Sequence, residues 1–87
     1  MPELIHECAF RVADEEGKSY SVRAYAQPTH EGRWWEGWLE FRAPDGRTVF
    51  RTERETTQRT LEDVRYWANG LQPIFLEGAL KRAVRSA

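Results

Sequence analysis

Residues 32–53 read GRWWEGWLEFRAPDGRTVFRTE, and the rest of the chain takes its place from how this stretch pairs. Three of the four tryptophans, Trp34, Trp35 and Trp38, fall within five residues of it. On an extended strand, successive side chains point to opposite faces. Trp35, Gly37, Leu39 and Phe41 then share one face, while Trp34, Glu36, Trp38, Glu40 and Arg42 share the other. Only the first set is free of charge, so it is the core face. Ala43-Pro44-Asp45-Gly46 is a turn signal, because Pro presets φ and Asp and Gly tolerate turn geometry. A second strand, Arg47 to Glu53, follows it.

Two registers compete across this turn. A three-residue loop with a bulge pairs Phe41 with Val49 and Leu39 with Arg51. An even-length loop pairs Phe41 with Phe50, Leu39 with Thr52 and Glu40 with Arg51. The second keeps apolar residues together and sets opposite charges across from each other, so it is the expected one. A slip of one residue turns Arg51 into the core.

Working outward, His6 to Val12 alternates, with His6, Cys8, Phe10 and Val12 on one side. Tyr20, Val22, Ala24 and Ala26 repeat the pattern after the polar loop Asp14–Lys18. Pairing Val12 with Tyr20 also pairs Phe10 with Val22 and Cys8 with Ala24, a hairpin with matched apolar faces. Gln27 to Gly32 and Arg54 to Arg59 read as polar connectors. Thr60 is an N-cap before Leu61, Val64, Trp67, Ala68 and Leu71 at helical spacing. Gly70 ends that helix, taking the left-handed C′ conformation, and Pro73 opens a second. Phe75, Leu76, Ala79, Leu80 and Ala83 form the stripe of the second helix; one helix kinked at Pro73 is the alternative.

The expectation is an α+β fold in a single domain, residues 1–87: a four-stranded antiparallel meander followed by two C-terminal helices packed on one sheet face. Strands fall at about 5–13, 19–27, 33–42 and 47–54, helices at about 60–70 and 73–85. The expected covered face carries Phe10, Val12, Tyr20, Val22, Trp35, Leu39, Phe41 and Phe50, with Gly37 and nearby alanines leaving room for Trp35 and Trp67.

A net charge of −1 gives no general attraction to nucleic acid or an anionic membrane. The halves differ, however. Residues 1–41 hold eight acids and four bases, and residues 42–87 hold six acids and nine bases; eleven of the thirteen bases are Arg, which genome composition explains most simply and Arg-mediated recognition explains otherwise. The single cysteine, Cys8, forms no internal disulfide, and no membrane span or signal segment is visible; the cytoplasm is the expected compartment.

Catalytic constellations are not found. Cys8 sits in an apolar alternation, which raises a thiol pKa and keeps it inert. His6 and Cys8 point the same way, but His30 and Glu31 would have to complete a zinc set from a loop, so no metal or cofactor is expected. Glu36 and Glu40 lie on a solvated face, without the shielding that general acid work needs. What remains is the outer sheet face, with Trp34, Trp38 and Tyr25 among Arg23, Arg42 and Arg51. Trp, Tyr and Arg are enriched at binding hot spots. The expectation is therefore a non-catalytic protein-interaction or self-associating (homodimeric) module using this face. Single-stranded nucleic-acid or small-ligand binding there is the alternative. The bland reading is that long Arg and Glu stems simply cover the rings.

Overall fold

The computed structural model describes residues 1–86. It shows an α+β architecture: β1 Glu3–Glu7, β2 Val12–Ala13, β3 Ser19–Pro28, β4 Trp35–Arg42, β5 Val49–Arg51, β6 Thr56–Gln58, α1 Leu61–Asn69, α2 Pro73–Arg82 and β7 Val84–Arg85. The sheet is antiparallel, ordered β1-β3-β4-β5-β7, with β2 also on β3 and β6 also on β4. The four expected strands are thus seven. The first was split by irregular pairing, and the connector at 54–59 and the tail after α2 each supply a short strand.

The turn at Pro44–Gly46 takes the even register: Phe41 opposes Phe50, Glu40 opposes Arg51, and Arg42 opposes Val49. Asp45 fixes the turn. Its Oδ1 accepts the amides of Arg47 and Thr48 at 2.8 and 2.9 Å, and its Oδ2 accepts the Thr48 hydroxyl at 2.9 Å. Thr52 then locks the register. Its amide donates to the Leu39 carbonyl at 3.0 Å, and its Oγ1 accepts the Leu39 amide at 3.0 Å. From there five residues, Thr52 to Thr56, run against three, Leu39 to Gly37, so β5 and β6 are separated by a bulge.

The first hairpin departs from simple alternation. Val12 does oppose Tyr20, but His6 rather than Cys8 opposes Ala24. Six residues from Glu7 to Val12 run against four from Arg23 to Tyr20. Cys8 keeps one ladder bond, to the Val22 carbonyl at 3.0 Å, and the slack turns Phe10 out to 37% exposure. Phe10 is therefore not in the core, a correction that follows from the two extra residues.

β3 and β4 form the centre, with Val22 opposite Phe41, Ala24 opposite Leu39 and Ala26 opposite Gly37. Both helices pack over this face, contributing Val64, Ala68, Leu76 and Ala79. Trp35 and Phe50 share the face but are only half-buried. Each fully buried Val, Leu or Phe in such a core contributes about 1.5–3 kcal/mol. Gly37 lets α1 come close: a Cβ there would sit 3.0 Å from Val64 Cγ1, 3.1 Å from Thr56 Cγ2 and 3.4 Å from Trp67 Cζ3.

The helices are two rather than one kinked rod. Thr60 Oγ1 accepts the Asp63 amide at 3.1 Å as the N-cap, and Pro73 opens α2 after Gln72. Gly70, however, has φ −94° and not the left-handed conformation expected. α1 closes instead with Gly70 and Leu71 amides donating to the Trp67 and Ala68 carbonyls. Among the described residues no helix is long and apolar enough to cross a membrane.

Gly37→Ala is expected to destabilise the fold by about 1–3 kcal/mol through overpacking, despite the entropy alanine removes from the unfolded chain. Urea denaturation reads this directly. A second prediction concerns acid. The Thr48 and Arg47 amides, and then the Thr48 hydroxyl, lower the Asp45 carboxyl from 3.8 to about 2. A lowered carboxylate stabilises fully above the unfolded pKa of about 4 and loses that contribution as pH falls toward the folded value. Stability measured across that window should fall less steeply in Asp45→Asn than in the native chain.

Candidate functional site

The face of the sheet opposite the helices is built by the other half of the same alternation. Pairing Tyr25 with Trp38 and Arg23 with Glu40 brings β3 and β4 residues side by side there. β1 adds Leu4 beside Tyr25 and Glu7 beside Arg23. β5 adds Arg51 beside Glu40, and β7 adds Val84 beside Arg51. One lateral row therefore reads Glu7, Arg23, Glu40, Arg51, alternating in sign across four strands. Within it, Arg23 Nε and a Glu7 oxygen are 3.6 Å apart, with both side chains well exposed. Such a pair contributes little stability. The Tyr25 hydroxyl first, and Glu7 second, push the Arg23 guanidinium above its ordinary pKa, so it stays charged.

The adjacent row, Leu4, Tyr25, Trp38, holds the aromatic group. The Tyr25 and Trp38 rings stack at 6.2 Å with 16° between their planes. The Arg51 guanidinium lies 4.2 Å from the Trp38 ring centroid. Trp38 points outward, as period two requires, but it is not exposed: only 2% of its surface is accessible. The expected free tryptophan is thus corrected. Arg51 reaches it diagonally, one pair along from its own partner Glu40, within range of a long side chain. The Trp38 Nε1 is buried without a hydrogen-bond partner among the described residues. That leaves the ring held by stacking and by the cation, which contributes about 0.5–2 kcal/mol.

The other expected site residues are distributed around this group. Trp34 is 39% exposed, with the Arg59 guanidinium 5.6 Å from its ring. Arg42 shares the face, but its Nη1 donates to the Gly46 carbonyl at 3.0 Å, tying it to the turn. Tyr25, Trp38, Arg23 and Arg51 therefore form one contiguous group, whereas Trp34 and Arg42 lie toward opposite ends of β4. Beside Arg51, a shallow cleft of about 340 Å³ is lined by Thr52, Glu53, Arg54, Val84, Arg85 and Ser86. Sequence reasoning missed Arg54 and Arg85, since Arg85 joins the sheet through a two-residue strand that no periodicity announces.

A second hollow lies on the helix side. It measures about 660 Å³ and runs between the Ala13–Glu15 turn, Tyr20, Phe50 and the end of α2. It too was missed, because its walls come from four separate segments. Elsewhere, partial burial pushes the Cys8 thiol up from its ordinary value, disfavouring the thiolate a nucleophile needs. Among the described residues, no three of the His, Cys, Asp and Glu side chains are placed to hold a metal ion.

The Arg51 contact is open to measurement. In Arg51→Ala the Trp38 indole N–H should lose its cover and exchange with solvent faster, while the remaining indole signals hold their rates in amide NMR. Unchanged exchange at Trp38 would mean that other groups keep the ring dry. No protein-family model, curated protein or solved structure matches this chain.

Proposed function

We propose that this chain is a non-catalytic binding module that seats another protein, or a second copy of itself, on the uncovered face of its sheet. The observation that carries this reading is the Tyr25–Trp38–Arg51 stack, lying on the side opposite both helices. A guanidinium held over an indole keeps N–H donors available to a partner and gives up little entropy when they are engaged. Exposed Leu4, Trp34 and Val84, at 44%, 39% and 66%, supply apolar contact around it. The row Glu7, Arg23, Glu40, Arg51 favours a partner with complementary alternating charge, which sets register more than affinity.

The face is a better candidate than the β1 edge for self-association. Antiparallel pairing of two β1 strands about Ile5 sets Glu3 of one copy against Glu7 of the other, and like charges directly opposite repel. The bulge between Leu4 and His6 further interrupts that edge. A protein partner is also favoured over nucleic acid, since the charged row carries as many acids as bases. The alternative, an anionic strand or small ligand, draws on Arg51, Arg54 and Arg85 around the 340 Å³ cleft. It predicts binding that weakens steeply with salt. The cytoplasmic assignment belongs to this proposal and rests on the lone cysteine.

The test is comparative capture with the native chain, a Trp34→Ala/Arg51→Ala variant shown to be folded, and an Arg47→Glu control at the distant turn. The expected result is one set of partners, or a self-association equilibrium, kept by the control and weakened at least tenfold in the double variant, the loss of a hot spot costing about 2 kcal/mol or more. Partners and oligomeric state that are identical in all three would refute the proposal.

A further inference from the structure

We infer that the hollow between the Ala13–Glu15 turn and the end of α2 is a binding site for a small organic cation with an apolar body, a protonated amine carried on a hydrocarbon or aromatic group. Its volume, about 660 Å³, falls within the roughly 300–1,000 Å³ usual for small-ligand sites. Its floor is aromatic: the Tyr20 and Phe50 rings meet edge to face, 5.8 Å apart at 81°. Leu80, Ala83 and Ala13 complete the apolar wall. Three carboxylates, Asp14, Glu15 and Glu77, stand around the opening against one ammonium, Lys81. The excess of acids in the lining and its two aromatic rings thus favour the same ligand charge.

One of these carboxylates is built in rather than merely nearby. Asp14 Oδ1 accepts the amides of Glu16 and Lys18, both at 2.9 Å, and Oδ2 accepts the Tyr20 hydroxyl at 3.1 Å. The Lys18 amide first of all, with Tyr20 and Glu16 behind it, holds the Asp14 carboxyl below its usual range. Tyr20 is itself 4% exposed, and having donated its proton to Asp14 it presents its oxygen only as an acceptor. An ammonium therefore meets two preoriented acceptors, Asp14 Oδ2 and Tyr20 Oη. A bare divalent ion is a poorer fit, because the carboxylates do not converge as a metal would require. This site lies on the helix side of the sheet, so it stands or falls independently of the proposed docking face.

The experiment titrates the native chain with three probes of one shape: phenethylammonium, neutral phenylethanol and anionic phenylpropionate. Amide NMR shifts at Lys18, Tyr20, Phe50 and Leu80 report the site. The expected result is saturable shifts with the ammonium and far weaker ones with the other two. Glu15→Gln and Glu77→Gln, both at exposed positions, should each weaken the ammonium about two- to fivefold, and Lys81→Ala should strengthen it by a similar factor. Phe50→Leu, which keeps a half-buried position apolar but removes one ring of the floor, should weaken the ammonium several-fold while the chain stays folded. Equal binding of alcohol and ammonium, ammonium affinity unchanged in Phe50→Leu, or no saturable shift with any probe would overturn the assignment.

Discussion

The pairing of Thr52 with Leu39 is the constraint on which both faces of the sheet depend. Thr52 is 1% exposed and is the only buried polar residue recorded among those described. It engages both backbone groups of Leu39, one through its own amide and one through its hydroxyl. A buried amide left without an acceptor costs about 1–3 kcal/mol, so Leu39 strongly disfavours any register that moves Thr52 away. That register carries Phe50 to the helix side, where it meets Tyr20, and Arg51 to the outer side, where it covers Trp38. Past Thr52 the bulge begins, and it ends where Glu55 turns its carboxylate to Arg82 at 2.5 Å, linking the sheet to the end of α2.

Gly37 and Trp38 are adjacent residues with opposite tasks, and each shows how its face is closed. At Gly37 the missing side chain admits α1, so helical packing supplies the cover. At Trp38 there is no helix, and the sheet covers its largest outward ring with its own Arg51 and Tyr25. An apolar ring of that size left in water forfeits several times the free energy of an exposed ion pair. The cover is nonetheless different in kind. Helical packing is apolar and close, whereas a stacked arginine is a charged lid whose donors remain available. The outer face is consequently both dry at its centre and chemically presentable at its surface.

Much of this was legible in residues 32–53. Period two separated Leu39 and Phe41 from Trp38 and Glu40, and the match of Glu40 with Arg51 identified the register before any fold was known. Thr60 and Pro73 marked the starts of the helices for the same reason that they work there. The failures have physical causes. Strict alternation from His6 to Val12 cannot reveal that two extra residues are absorbed between Glu7 and Val12, so Phe10 was misplaced. Facing direction was taken to mean exposure for Trp38, although a diagonal arginine within reach can bury a ring on an uncovered face. Strands of two or three residues, such as Val84–Arg85 and Thr56–Gln58, are set by their partners rather than by their own composition. The hollow beside Asp14 depends on four segments meeting, which no local pattern encodes.

The role given to Thr52 is tested most directly by comparing Thr52→Val with Thr52→Ser, reading unfolding free energy together with hydrogen exchange at the Leu39 amide. Valine keeps the shape and removes the acceptor, while serine keeps the acceptor. The valine variant should lose about 1–3 kcal/mol and protection at Leu39, and the serine variant should retain that protection. Equal stability of the valine variant and the native chain, with Leu39 still protected, would contradict the account.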